Sequence, residues 1–311
     1  MHKEATVERA ATPSASSADD EERRGISAFL ASASLELSSR DPAEVDACVG
    51  LLEPGTSVYV SSPPGQTYHG TVALATRLAR TGFRPVPHVA ARRIAGREAL
   101  NDYLARAAGE AGVDSAFVVA GDSDRASGAF DSSLALLETG LFERHGIVRV
   151  GVAGYPEGHP RIAAPVLEAA LASKKAFARR AGFELNVVTQ FCFESAPILS
   201  WAARNEGQGL PVHVGIAGPA SLPRLLRFAA LCGIGNSVRA LKARPRAITR
   251  LMVEAGPEVA LRELARRAGP PVAGVHFFCF GGLVRTARWL RAVRDGRFEL
   301  TEDRGFRVGP A

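Results

Sequence analysis

Eight short apolar runs, each followed by a longer helix-forming stretch, restrict this chain more than any other feature. The runs are Ser34–Ser38, Ser57–Ser61, Arg84–Ala90, Ser115–Ala120, Val148–Ala153, Leu185–Gln190, Pro211–Ala217 and Gly274–Phe280. The helical stretches are Ala43–Leu52, Gly70–Thr81, Arg97–Ala111, Ser132–His145, Pro165–Ala181, Ser195–Asn205, Leu222–Cys232, Ala247–Ala268 and Arg285–Val293. Strands that read as continuous apolar runs are buried on both faces, as in a parallel sheet covered by helices. Eight strand–helix units favour an α/β fold closed as a single (β/α)8 TIM barrel. The competitor is an open doubly wound sheet. That fold places a dinucleotide-binding glycine string after its first strand. Here Ser39-Arg40-Asp41-Pro42 stands at that point, and Gly233-Ile234-Gly235 reads as a helix stop.

A length of 311 residues suits one such barrel. Residues 1–24 are polar, without periodic apolar positions, and read as a disordered leader ahead of a barrel spanning 25–311. The sequence shows neither a signal-peptide core nor a membrane-spanning run, which points to a cytoplasmic protein. The net charge of +6 is spread over presumed helix faces. It implies a mild attraction for anionic ligands and lacks the focused, aromatic-interleaved patch of a nucleic-acid binder. Four cysteines, Cys48, Cys192, Cys232 and Cys279, have spacings that suit neither zinc nor a disulfide framework. The histidines lack ligand spacing, so no metal is expected.

Barrel enzymes work at the C-terminal ends of their strands. Polar and aromatic residues gather there: Glu36 on the first strand, Ser61 after the second, His88 on the third, Gly121-Asp122 after the fourth. The fifth is followed by Gly154-Tyr155-Pro156-Glu157-Gly158-His159-Pro160, and the sixth by Gln190-Phe191-Cys192-Phe193. A glutamate in an apolar strand costs free energy unless paired, and its carboxyl tends to stay protonated. Gln190 among aromatics needs several partners when buried.

Several of these segments resemble motifs of the methylenetetrahydrofolate reductase family, in the family's order. Tyr155 to Pro160 resembles its Tyr-Pro-Glu-x-His-Pro string, and Thr189-Gln190-Phe191-Cys192-Phe193-Glu194 its Thr-Gln-Phe-Phe-Phe-Asp string. Ser34-Leu35-Glu36, Pro87-His88, Gly121-Asp122 and Val275-His276-Phe277-Phe278 resemble its shorter strand-end motifs. The resemblance runs from about Leu35 to Phe280 and identifies the chain as a divergent member. It implies a flavoenzyme of one-carbon metabolism and methionine biosynthesis. Such an enzyme binds FAD and uses NADH or NADPH to reduce 5,10-methylenetetrahydrofolate to 5-methyltetrahydrofolate, or runs in reverse.

By resemblance, Glu36 is the general acid that opens the folate ring, Asp122 lies near flavin and pterin, and Gln190 hydrogen-bonds pterin and nicotinamide. Ser61, His88, Gly121, Ala153, Tyr155 and His159 line the flavin site. The sequence departs from the family in places. Ala120 replaces the arginine of the strand-four triplet, and Phe177-Ala178 replace an Arg-Lys pair near the cofactor diphosphate, with Lys174 and Lys175 one turn earlier as substitutes. Leu222 stands for a folate-stacking Phe, Phe278 for a Tyr, and Gly281-Gly282 for Asn-Arg, with Arg285 one turn on as the replacement cation. Two other readings stay open: a flavin-independent NADH-dependent folate reductase, and a non-catalytic folate-binding barrel subunit. The partner expected is a small-molecule folate, without nucleic acid or membrane; a homo-oligomer is admitted.

Overall fold

The computed structural model describes residues 15–37, 43–61, 65–231 and 256–309. Eight parallel strands close into a barrel in sequence order. They are β1 (Ser34–Leu37), β2 (Ser57–Val60), β3 (Arg84–Ala90), β4 (Ser115–Val119), β5 (Arg149–Gly154), β6 (Glu184–Thr189), β7 (Val212–Ala217) and β8 (Val272–Phe278). Closure is the pairing of β1 with β8, Ser34 opposite His276 and Glu36 opposite Phe278. The fold is a TIM barrel.

The helices outside it are α1 (Ala15–Phe29), α2 (Ala43–Asp46), α3 (Tyr68–Arg80), α4 (Arg97–Ala111), α5 (Ser133–Leu137), α6 (Leu141–Arg144), α7 (Ala164–Ala181), α8 (Ser195–Asn205), α9 (Leu222–Leu231), α10 (Glu258–Arg267) and α11 (Leu283–Arg294). An antiparallel hairpin, β9 (Phe298–Leu300) and β10 (Phe306–Val308), follows. Alternation along each strand sorts the side chains. Leu35 and Leu37 on β1, Val89 on β3 and Val275 and Phe277 on β8 enter the main core between strands and helices. Their neighbours face the lumen, where Tyr59, Val86, Phe117 and Val188 form a small separate core.

Local chemistry sets the helix ends. Gly112 and Gly182 take left-handed conformations after α4 and α7, which glycine adopts without a Cβ clash. The single helix expected over Ser132–His145 is two, because Gly140 at φ 69° interrupts it. The helix expected over Ala43–Leu52 is regular for Ala43–Asp46 and continues as turns. Of the stretch Ala247–Ala268, residues 247–255 lie outside the described residues, as do Cys232, Gly233-Ile234-Gly235, Ser39 to Pro42 and Ser62 to Pro64. Among the described residues no helix is long and apolar enough to cross a membrane.

The expected leader differs most. Residues 1–14 lie outside the described residues, but Ala15–Arg24 belong to α1. That helix is held by its far end: Ile26 and Leu30 are buried in the main core. Polar clips extend the hold. Glu22 accepts from Arg262 Nε and Nη2 at 2.9 and 2.8 Å, Arg23 donates to Gly296 O at 2.6 Å, and Ser27 to Val293 O at 2.8 Å. The Arg262 guanidinium holds the Glu22 carboxyl below the usual carboxylate range. Sequence periodicity misses this because the helix is anchored by two apolar residues and side-chain-to-backbone bonds.

Glu22→Ala should therefore cost about 1–2 kcal/mol by breaking a charge-assisted bidentate pair. Urea denaturation of the variant checks this; equal stability of Glu22→Ala and the parent would mean that α1 is not clipped to α10.

Candidate active site

At the C-terminal mouth, β1 turns Glu36 inward, where it is 7% exposed. Its Oε2 lies 3.4 Å from Nε2 of His88 on β3 and 3.7 Å from Nε2 of His276 on β8. His276 Nδ1 shares a 2.9 Å hydrogen bond with Ser34 Oγ, two residues before Glu36 on the same strand face. Tyr59 packs edge-on against His276 at 4.5 Å, and Phe117 covers His88 at 4.8 Å. His88 Nε2, though close to Glu36, is not aligned with it and is a buried ring nitrogen without a hydrogen-bond partner.

Burial dominates the electrostatics of this group. It raises the Glu36 pKa, outweighing the opposing pull of His88. It lowers His88, and takes His276 from 6.5 down to about 3. A charged pair here would lose most of its hydration for two long contacts, so burial favours the neutral carboxyl and the neutral imidazoles. Burial likewise pushes the Tyr59 hydroxyl up to about 12, against a hydrogen bond with Asn186 of β6.

The β6–β8 side of the mouth is an aromatic wall. Phe191 is fully buried, with Phe193, Phe228, Phe278 and Phe280 around it. Phe228 of α9 stacks on Phe280 at 4.2 Å and 14°, and Phe280 on Phe278 at 5.8 Å and 25°. The strands approach closely below it: a Cβ on Gly215 would lie 2.2 Å from Thr189 O, so only glycine lets β7 sit against the end of β6. Gln190 follows directly; its Oε1 accepts from Phe191 N–H at 3.2 Å, which leaves its amide nitrogen as a donor for a ligand.

The structure thus brings Glu36, His88, Gln190 and Phe278 to the lumen side of the mouth. Ser61 sits at the β2 end, donating its hydroxyl to Leu37 O at 3.0 Å. Ala153 is half-buried against the lumen core, and Tyr155 meets His159 edge-on at 5.2 Å. Gly121, at φ 93°, turns the chain after β4. Asp122 is 71% exposed on the outer rim, paired with Arg93 at 2.8 Å rather than directed at the lumen. Leu222 opens α9 and Arg285 lies in the first turn of α11, both half-buried at the mouth end. The two lysines are not brought to the mouth. They lie roughly 15 Å along α7 from its mouth-side start. Lys175 donates to Gln208 Oε1 at 3.3 Å, on the turn that leads into β7 from the opposite face. Burial lowers the pKa of Lys174.

Residues not singled out from sequence complete the site. His276 falls inside a resembling motif that gives it no role of its own. Period-two alternation from Glu36's partner strand would have placed it in the lumen. Phe228 lies in an amphipathic helix where it reads as core. Arg92, Arg93 and Arg161 stand on the β3 and β5 rim: Arg161 pairs with Asp124 and donates its backbone N–H to His159 Nδ1 at 3.2 Å, and Arg92 holds Ser123 O at 3.1 Å. Cys48, Cys192 and Cys279 are buried free thiols. Among the described residues no cluster of three or more His, Cys, Asp or Glu is placed to hold a metal ion.

No protein-family model matches the chain. Among solved structures it is similar to dihydropteroate synthase from Thermus thermophilus, with 17% identity, 85% of this chain and 91% of that one covered, and a TM-score of 0.43. It is also similar to 7,8-dihydropteroate synthase from Vibrio fischeri, with 11% identity, 85% and 92% covered, and a TM-score of 0.39. A xylose isomerase-like TIM barrel/4-hydroxyphenylpyruvate dioxygenase fusion protein matches at 17% identity over 61% of this chain and 31% of that one, with a TM-score of 0.33.

A neutral imidazole buried in the fold contributes stability that is fully present above its ordinary value and is lost as pH falls. For His276 the window runs from 6.5 down to about 3. His276→Asn should flatten the acid side of the stability profile by up to one proton, ~1.4 kcal/mol per pH unit. Denaturant midpoints measured across that window check it; an unchanged acid slope would mean that His276 is charged in the fold.

Proposed function

We propose that this barrel is a folate one-carbon oxidoreductase that reduces 5,10-methylenetetrahydrofolate to 5-methyltetrahydrofolate with a nicotinamide, or runs the reverse oxidation. The observation that carries the reading is Glu36: a buried carboxyl, its pKa raised by burial, at the mouth of a TIM barrel, next to an aromatic wall and the Gln190 amide. Reduction of the methylene group requires a C–N bond to break first. The electron pair goes to nitrogen, which needs a proton. Glu36 supplies it, and its burial keeps that proton in place near neutral pH. A pterin is a planar heteroaromatic with hydrogen-bonding edges. Phe278 and Phe228 offer faces to stack on, and Gln190 offers the edge contact.

The donor set also suits a flavin ring. Tyr155, His159 and Ala153 line the β5 side of the mouth, next to the aromatic wall in strand order. When bound, a flavin supplies the two-electron transfer between nicotinamide and folate. Its diphosphate would be held by Arg93 and Arg161 at the rim, since Lys175 is engaged by Gln208 and both lysines lie roughly 15 Å along α7. The same distance of the lysines favours a second reading, direct hydride transfer from NADH without flavin. A visible absorbance spectrum of the purified protein separates the two.

Two outcomes follow. Glu36→Gln keeps size and a hydrogen-bond donor but removes the transferable proton. It should slow folate-dependent NADH oxidation by about 10²–10⁴-fold. Steady-state assay with the folate substrate measures it, and a parental rate would remove Glu36 from the chemistry. For the cofactor, the Lys174→Ala, Lys175→Ala double variant should retain the parental FAD affinity. Arg93→Ala with Arg161→Ala should weaken it by about tenfold, ~1.4 kcal/mol. Quenching of FAD fluorescence reads both; weakening confined to the lysine variant would put the diphosphate on α7 instead.

A further inference from the structure

We propose that His88 reloads Glu36 with its proton after each turnover, while His276, fixed by Ser34, orients the carboxyl, so that these side chains form a directed proton path into the acid. The inference rests on the folate reading above, in which Glu36 gives up one proton per turnover.

Both imidazoles meet the same oxygen, Glu36 Oε2, at 3.4 and 3.7 Å. Their surroundings differ. The His88 side chain keeps 13% of its surface exposed, against 1% for His276. His88 is therefore the one that exchanges protons with the mouth. His276 is enclosed, and its Nδ1 is engaged by Ser34 Oγ at 2.9 Å. With Nδ1–H donating to Ser34, Nε2 is bare and accepts from the Glu36 hydroxyl, which fixes the carboxyl rotamer. His88 Nε2 is buried without a hydrogen-bond partner in this structure. A buried ring nitrogen left unpaired in one state calls for a partner in another. That partner is the Glu36 carboxylate formed when the substrate nitrogen has taken its proton.

The transfer balances without any redox change. The His88 Nε2–H bond breaks and the Glu36 Oε2–H bond forms. His88 Nδ1 takes a proton from water or a buffer acid at the mouth, so the ring passes to the other neutral tautomer, and proton exchange with water, lost at Nδ1 and gained at Nε2, restores the Nε2–H form before the next turnover. The groups facing this path come from every neighbouring strand. They are Ser34 and Glu36 on β1, Tyr59 on β2, His88 on β3, Asn186 on β6, His213 on β7, and His276 with Cys279 at the end of β8. Tyr59 and Cys279 are both pushed up to about 12 by burial and keep their protons throughout. Burial also lowers His213, which stays neutral beside His276. Of the two rings in contact with Glu36, His88 is the one whose side chain reaches the mouth.

The test separates reloading from shape. In His88→Ala, mixed rapidly with nicotinamide and 5,10-methylenetetrahydrofolate, the first turnover should be the fastest that this variant shows, because Glu36 starts loaded. Later turnovers should slow by about tenfold or more, and free imidazole should restore them. His88→Gln gives the same burst without rescue by cavity filling, and serves if the alanine variant does not fold. His276→Asn should slow the first turnover itself, without response to imidazole. A first turnover slowed as much as the rest in both His88 variants, unresponsive to imidazole, would overturn the path. Histidine ¹⁵N resonances of the substrate-free protein give a reading independent of turnover. Glu36→Gln should shift the rings of both His88 and His276, and no shift in either overturns the contact itself. A parent protein with no folate-dependent NADH oxidation would instead sink the substrate reading, with the ring resonances still deciding the path.

Discussion

The closed barrel leaves each strand residue one of two places, the helix layer or the lumen, and Glu36 has the lumen. A carboxylate there would lose its hydration, and among the described residues its ionisable partners are two buried imidazoles at 3.4 and 3.7 Å. The arrangement around it follows from that single cost. Burial favours the protonated carboxyl and the neutral forms of the two imidazoles beside it, and Ser34 and Tyr59 pack against them. A neutral acid inside the mouth is unfavourable to ionise and therefore well matched to giving its proton to a departing nitrogen.

The two halves of the mouth divide the work. On the β6–β8 side, stacked phenylalanines present flat apolar faces, and Gly215 lets the strands approach closely enough to bring Gln190 beside them. On the β3–β5 side, arginines, aspartates and Tyr155–His159 make a polar rim. The proposed ligand, planar and nitrogen-rich with an anionic tail, matches that division. At the other pole, α1 is clipped to α10 and to the chain around Val293 and Gly296. That clip ties the beginning of the described chain to its end, beside the strand pair β1–β8 that carries the acid.

Most of the barrel was legible because each strand is a short apolar run and each helix an amphipathic one; β3, α4 and α8 match their expected bounds residue for residue. What was not legible depended on three-dimensional partners. Ala15–Arg24 looked disordered because its anchors, Ile26, Leu30 and Arg262, lie beyond it or far along the chain. The break at Gly140 and the short hairpin of Phe298–Leu300 and Phe306–Val308 fall below the length at which periodicity speaks. At the site, a glutamate in an apolar strand announced itself, whereas His276 drew no attention on its own. Its meaning comes from barrel closure, which puts β8 beside β1. The lysines of α7 show a different gap: sequence position gives no distance from the mouth, and helix rise sets them roughly 15 Å from the mouth-side start of α7.

The central claim is that Glu36 is a protonated acid in the resting protein. Infrared spectroscopy of protein carrying ¹³C-labelled glutamate, titrated through neutral pH, tests it most directly. The account predicts a protonated-carboxyl carbonyl band that persists at neutral pH and is absent from Glu36→Gln. A spectrum at neutral pH with only ionised carboxylate, the same in parent and variant, would contradict it.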